Sequence, residues 1–221
     1  MNSELRRIEH PYVIMCEGAD EKWFLIHFLN SKELKEYPFL SKDIDVFDFG
    51  GNNELHQQLE LLKISPKFHS IKYLLIIRDA EQDAEQAVCQ IQNSLSRADF
   101  PVPARPGEWQ SGEFSPNVGF LLFPSCNNTI QAGTLEDLCL SILQETNSLD
   151  ILHEIQAFLD NLKNKHQRPF PHEHKTKLHT YFSITDRFVG MKIGEAAKAQ
   201  AFNWNSDRLN FLKEFLLKMN I

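Results

Sequence analysis

Three acidic positions close on three apolar runs. Glu17 follows Tyr12-Val13-Ile14-Met15-Cys16, Asp79 comes just after Tyr73-Leu74-Leu75-Ile76-Ile77, and Glu136 comes shortly after Phe120-Leu121-Leu122-Phe123. Short continuous apolar runs read as buried strands of a parallel sheet. Ligands of such sheets bind outside the carboxyl ends of the strands. Carboxylates gathered there repel one another unless a cation or a proton sits among them. Side chains from segments far apart in sequence thus point to one metal site, and metal-assisted phosphoryl chemistry is the expectation.

The acids differ in how strongly they point that way. In Asp79-Ala80-Glu81-Gln82-Asp83, acids alternate along the chain. In extended geometry, residues i and i+2 share a face. Asp79 and Glu81 therefore suit one hard cation, which prefers oxygen ligands. Asp83 and Glu81 also suit a helix N-terminus, where negative charge complements the macrodipole. Glu17 is followed by Gly18, which lets the backbone turn sharply, and Asp20 suits an N-cap. Glu136 and Asp137 fall in a first helical turn, where acids are favoured in any case; the joint presence of the other acids adds Glu136 to the metal set.

Two further segments offer phosphate contacts. Gly50-Gly51-Asn52-Asn53 stands between a strand and a helix. Free N–H groups at a helix start receive phosphate, which makes Gly50 and Gly51 candidates; a plain tight turn is the alternative. The GxxxxGK[ST] pattern is absent, so ATP hydrolysis by this chain is not expected. His172 to His179 contains no HExxH spacing and reads as a polar, basic helix start rather than a zinc site. Lys177, with Lys175 next, could meet a substrate phosphate there. Arg105, Trp109 and Phe114 could stack on bases or cover a sheet edge.

The elements that must position these residues alternate. Strands are expected at Tyr12 to Cys16, Ile44 to Phe49, Ile71 to Ile77 and Val118 to Phe123. Helices are expected after Asp20, around Leu55 to Leu62, at Gln82 to Ser96 and at Leu135 to Leu143. Thr134-Leu135-Glu136-Asp137 resembles a capping box. Residues 97–117, rich in Pro and Gly, form a long irregular connection with room for a short hairpin. The remainder reads as helices: Leu149 to Leu162, His174 to Phe182, Gly190 to Ala199 and Ser206 to Met219. Strands separated by helices favour a parallel sheet.

Strand-Glu-Gly followed by strand-Asp-x-acid, on four β/α units, resembles the Toprim domain of topoisomerases, bacterial primases and OLD-type nucleases. Leu135-Glu136-Asp137-Leu138 after Gly133, and Lys175-Thr176-Lys177, resemble the OLD-like branch. The whole chain is similar to the stand-alone DUF3226 group of Toprim-related proteins. The resemblance implies an α/β fold: a Toprim-like, four-stranded, mainly parallel sheet over residues 1–145, and a helical C-terminal region over 146–221 packed on it. It implies Mg²⁺ or Mn²⁺ on Glu17, Asp79, Glu81 and Glu136, with Asp83 as a substitute. Glu17 would serve as general acid/base. The usual Asp-x-Asp is Asp79-Ala80-Glu81 here, one methylene longer at the second acid. The implied activity is a metal-dependent nuclease acting on nucleic acid, DNA by the OLD-like likeness. A regulatory metal- or nucleotide-binding module, or an effector that needs a separate ATPase partner, are the alternatives.

Composition fits a packed protein. Hydrophobic residues make up 42% of 221 and charged residues 24%, which excludes general disorder. No run approaches the ~20 apolar residues of a membrane span. The polar start, Met1 to His10, lacks the apolar stretch of a secretory signal, so a cytoplasmic location is expected. Cys16, Cys89, Cys126 and Cys139 are scattered and read as reduced thiols. The net charge of −7 is uneven: residues 161–221 carry +6 and the rest −13. An acidic front and a basic tail suit a metal site beside a phosphate-contacting flank, or simply attract each other.

Overall fold

The computed structural model describes residues 5–34, 44–51, 53–126, 130–146 and 149–219. It has an α/β fold with a five-stranded, mostly parallel sheet and, among the described residues, eight α-helices. The strands are β1 (Tyr12–Cys16), β2 (Ile44–Asp48), β3 (Tyr73–Asp79), β4 (Trp109–Gln110) and β5 (Asn117–Phe123), ordered β2-β1-β3-β5-β4. The three pairings among β2, β1, β3 and β5 are parallel. β4 was not among the four expected strands. It is two residues long, too short to show a period, and pairs antiparallel with β5 as a hairpin inside the Pro- and Gly-rich connection.

Side-chain alternation along the strands gives the sheet two buried faces. Val13, Met15, Leu74, Ile76, Phe120 and Leu122 meet α2 (Leu55–Lys63) and α3 (Ala84–Arg97). Ile14, Cys16, Leu75, Ile77, Leu121 and Phe123 meet α1 (Ala19–Leu29), α4 (Leu135–Gln144) and the C-terminal helices. Those helices are α5 (Leu149–His166), α6 (Glu173–Ile184), α7 (Ile193–Lys198) and α8 (Asn210–Leu217). Phe24 of α1 packs edge-on against Phe202 and Trp204, so the end of the chain shares a core with its beginning.

Several ends move relative to expectation. β3 runs two residues further, to Asp79, because Arg78 and Asp79 still pair with Leu122 and Phe123. Asp79 is thus the last residue of the strand rather than the first beyond it. Asp20 is not an N-cap: α1 starts at Ala19 with Gly18 as its cap residue, and the Gly18 carbonyl receives Lys22 N–H at 3.1 Å. The capping box at Thr134 forms as expected, with Thr134 N–H donating to Asp137 Oδ2 at 2.9 Å.

Trp109 covers the sheet edge. Its ring stacks on Phe215 at 4.6 Å and 6° and meets Tyr73 edge-on. Gly119 of β5 lies beneath this pair: a Cβ there would come 2.8 Å from Trp109 Cε3 and 2.9 Å from Phe215 Cζ. Overpacking of this kind destabilises by about 1–3 kcal/mol. Gly119→Ala is expected to lower stability in urea unfolding by that amount, and a change under about 0.5 kcal/mol would show that the ring pair yields freely.

Candidate metal centre

The sheet order brings the acids together. The chain leaves β1 toward β2 on one side and returns as β3 on the other, which makes the β1/β3 boundary a topological switch point. Cys16 pairs with Ile77, so Glu17 emerges beside Arg78 and Asp79. Gly50 and Gly51 shape this corner from the β2 side. Both have positive φ, +84° and +121°, and both donate their N–H to the Glu17 carbonyl, at 3.0 and 3.1 Å. The phosphate role expected of these glycines therefore gives way to the tight turn: their N–H groups are spent on fixing the Glu17 backbone. Asn52 lies outside the described residues.

Asp79 is the hinge pin. It is buried, and its Oδ1 accepts the Leu135 N–H at 2.8 Å, which ties the N-terminus of α4 to the end of β3. A second tie supports the first. Glu81, held at φ 55°, exchanges both backbone hydrogen bonds with Gly133, at 2.9 and 2.7 Å. Left-handed backbone at a non-glycine residue persists only where the surroundings enforce it. Together these contacts deliver Glu136, buried in the first turn of α4, to the same site.

Glu17, just past β1, and Glu21 of α1 complete the cluster. Glu17 was expected; Glu21 was not. Glu21 lies four residues after Glu17, within reach of the same face once the helix starts at Ala19. That spacing was the available signal. Burial raises the Glu21 pKa to about 7, and the charges of Glu17, Glu136 and Asp20 add to the rise. Burial, then Glu21, Glu136 and Glu17, push Asp79 up to about 9 despite its bond from Leu135. Glu17 is raised by burial, with Arg78 opposing and Glu81 assisting.

Two basic residues face these acids. Arg78, only 2% exposed, places Nε 3.7 Å from Glu17 Oε2, and its Nη1 donates to Gln90 Oε1 at 2.9 Å. A charged side chain inside an apolar run is an evident signal, and it was overlooked. Lys175 of α6 reaches Glu136 Oε1 at 3.3 Å. Burial alone would lower its pKa; Glu136, Asp79 and Glu21 raise it overall. Lys177 lies two positions on, about 200° around the helix. It acts on Glu173 and makes no contact with the acid cluster among the described residues. Asp83 caps α3 by accepting Gln86 N–H at 2.9 Å, so the helix end uses it.

The donor set is all carboxylate oxygen, which suits a hard divalent cation. Glu17 Oε2 is buried without a hydrogen-bond partner. Among the described residues, however, no three His, Cys, Asp or Glu groups converge closely enough to hold one ion as they stand. The residues fit a divalent cation by the chemistry of their donor atoms alone.

An α/β chain with acids crowded at its switch point is the class that fold and site define. Residues 11–220 match the family described as "Protein of unknown function (DUF3226)", and the chain belongs to that family. No curated protein matches the chain. Among solved structures, the C-terminal region of the Xanthomonas campestris pv. campestris OLD protein is similar over 96% of this chain and 97% of that one, at 14% identity and a TM-score of 0.44. No helix among the described residues is long and apolar enough to cross a membrane.

The shifts set a pH dependence. A carboxyl whose folded pKa is raised stabilises the fold while protonated, below its unfolded pKa of about 4, and loses that contribution as pH rises through the folded value. For Glu21 and Asp79 the loss extends through about 7 and about 9. Metal-free protein is therefore expected to show a falling Tm between pH 5 and 9. Asp79→Asn keeps the acceptor for Leu135 N–H and should flatten the upper half of that fall. A metal-free Tm that climbs over this range would refute the assignment.

Proposed function

We propose that the protein is a divalent-metal-dependent phosphodiesterase that cleaves nucleic acid. The observation that carries this reading is the crowding of Glu17, Glu21, Asp79 and Glu136 at the β1/β3 switch point, with Arg78 and Lys175 as their basic counterparts among the described residues. The resemblance to Toprim and OLD-type nucleases supports it, and DNA is preferred over RNA on that resemblance alone. Mg²⁺ or Mn²⁺ would be held by Asp79, Glu17 and Glu136, with Glu21 beside them and Glu81 at the rim, and would polarise the phosphate and activate water.

The chain's own residues have separable tasks. Asp79 orients the α4 N-terminus and supplies a carboxylate. Arg78 holds Glu17 in place from beneath. Glu17, with its raised pKa, would take the proton of the attacking water and pass it to the leaving oxygen as the P–O bond breaks. Lys175, paired with Glu136 in this structure, would offset the charge developing on the substrate phosphate. A regulatory binding module is the second reading, favoured by one observation: Arg78 and Lys175 already neutralise two of the acids. An effector that requires a separate ATPase partner is the form of the first reading in which the isolated chain is silent.

Purified protein incubated with labelled DNA and RNA, with Mg²⁺, Mn²⁺ or chelator, tests the proposal. Metal-dependent cutting should fall by more than about 100-fold in Asp79→Asn and Glu17→Gln. Equal cutting by wild type and both variants would identify a contaminant. Mn²⁺ binding without cleavage, with or without partners, would establish the module. A second comparison separates the lysines. Lys175→Ala should bind Mn²⁺ at least as tightly as wild type yet lose about 10²–10³-fold in kcat, while Lys177→Ala stays near wild type. The reverse ranking would displace Lys175 from the site.

A further inference from the structure

Helix α1 presents a second face. Asp20, Trp23 and His27 follow one another at three- and four-residue spacing, so they line one side of the helix. Trp23 is 49% exposed, whereas Trp204, which packs on the same helix from the core side, is 3% exposed. The Trp23 ring lies on His27, with centroids 6.1 Å apart and 26° between planes. Its stem is fixed from α7: a Cβ at Gly194 would come 2.5 Å from Trp23 Cβ. An indole with a locked stem and an open ring face is ordered before any ligand arrives.

A groove of about 350 Å³ opens beside this ring, between α1 and α7, walled by Asp20, Glu195, Lys192 and Lys198. Each acid is already engaged. Asp20 Oδ1 accepts Gly194 N–H at 3.3 Å, and Glu195 Oε2 accepts Lys192 N–H at 2.9 Å. Neither Lys192 nor Lys198 forms a salt bridge among the described residues. Burial and the nearby Lys198 both lower the His27 pKa, which favours the neutral imidazole as a stacking partner. An aromatic platform beside ammonium groups is the recurring means of holding single-stranded nucleic acid. Trp23 lies two residues beyond Glu21, about 3 Å along the helix axis. The two side chains stand about 200° apart around that axis, so the groove opens on the side of α1 turned away from the acid cluster.

We infer that this groove seats one base of a single-stranded nucleic acid, with Trp23 stacking on the base and Lys192 and Lys198 meeting the flanking phosphates. The inference rests on the reading that the substrate is nucleic acid and adds its form and its grip. The seat needs no metal, since none of its residues belongs to the acid cluster.

The test uses the full chain in chelator, titrated with a labelled single-stranded oligonucleotide and with the same strand carrying abasic sites. Binding is followed by anisotropy and by tryptophan emission. Quenching of an exposed tryptophan is expected on binding. Trp23→Ala should remove the quench and weaken binding about 5- to 100-fold, while Trp23→Phe retains most of the affinity. The abasic strand should lose as much with wild type, and lose no more with Trp23→Ala. Lys192→Ala with Lys198→Ala should lower the salt slope by about 1.4, as expected for two single-strand phosphates. Wild type that fails to bind, or Trp23→Ala that binds as wild type does while folded, overturns the seat. Binding of the expected form with no metal-dependent cutting would sink the phosphodiesterase reading and leave the seat standing. Cutting that depends on Asp79, with affinity and KM unchanged in Trp23→Ala, would do the opposite.

Discussion

Carboxyl groups crowded at the ends of β1 and β3 are the constraint around which the rest of the molecule is arranged. The strand register leaves no freedom here: Cys16 faces Ile77, and the next residues on each strand must share one corner. Burying a carboxylate is costly unless it is paired, bonded or protonated. Each neighbouring feature reduces that cost in one of these ways. Arg78 stands beside Glu17, Lys175 pairs with Glu136, and the first N–H of α4 is donated to Asp79. Protons complete the set, on Asp79 and Glu21 above all.

The C-terminal helices belong to this arrangement and are more than a cover for one sheet face. α6 supplies Lys175, and α7 fixes the side of α1 that faces away from the acids through the close approach of Gly194 to Trp23. The uneven charge along the sequence thus has a local expression. A basic residue of the tail reaches the acidic front at one definite atom pair, Lys175 Nζ to Glu136 Oε1. Mutual attraction of the two parts and a phosphate-facing flank, offered by the sequence as alternatives, are compatible in this geometry. The same lysine serves the first in the state described and would serve the second once Glu136 turns to a cation.

Much of this was legible from residue order, and the gaps have physical causes. The apolar run Tyr12 to Cys16 is β1 without adjustment, because a strand buried on both faces needs no alternation to announce itself. Glu17, Asp79 and Glu136 were legible as strand-end and helix-start acids. Glu21 was not, because its place depends on where α1 begins, and Gly18 rather than Asp20 sets that start. Lys177 was preferred to Lys175 because helix phase cannot be read from Lys-Thr-Lys alone; two residues turn the side chain nearly to the opposite face. Gly50 and Gly51 were recognised as conformationally special. The direction of their N–H groups is a tertiary fact, fixed by the Glu17 carbonyl. Arg78 was hidden by its surroundings, an ionic group at the end of a run read for its apolar members.

Charge separates this site from an ordinary buried ion-pair network. Glu17, Glu21, Asp79 and Glu136 bring four carboxyls; Arg78 and Lys175 bring two cations. In a purely structural network the members neutralise one another, and well-packed apolar groups would often be as stable in their place. Here two carboxyls are left without a cation beside them, Asp79 and Glu21, whose pKa values stand at about 9 and about 7. Near neutral pH these two groups must keep protons or meet an added positive charge. One of the cations present, Lys175, is half exposed on a long flexible stem, so it is the member most easily exchanged for an ion from solution. Arg78, buried and bonded to Gln90, is the member least able to leave. A fixed cation and a releasable one, around acids in excess, are the features on which the proposed divalent-ion reading rests.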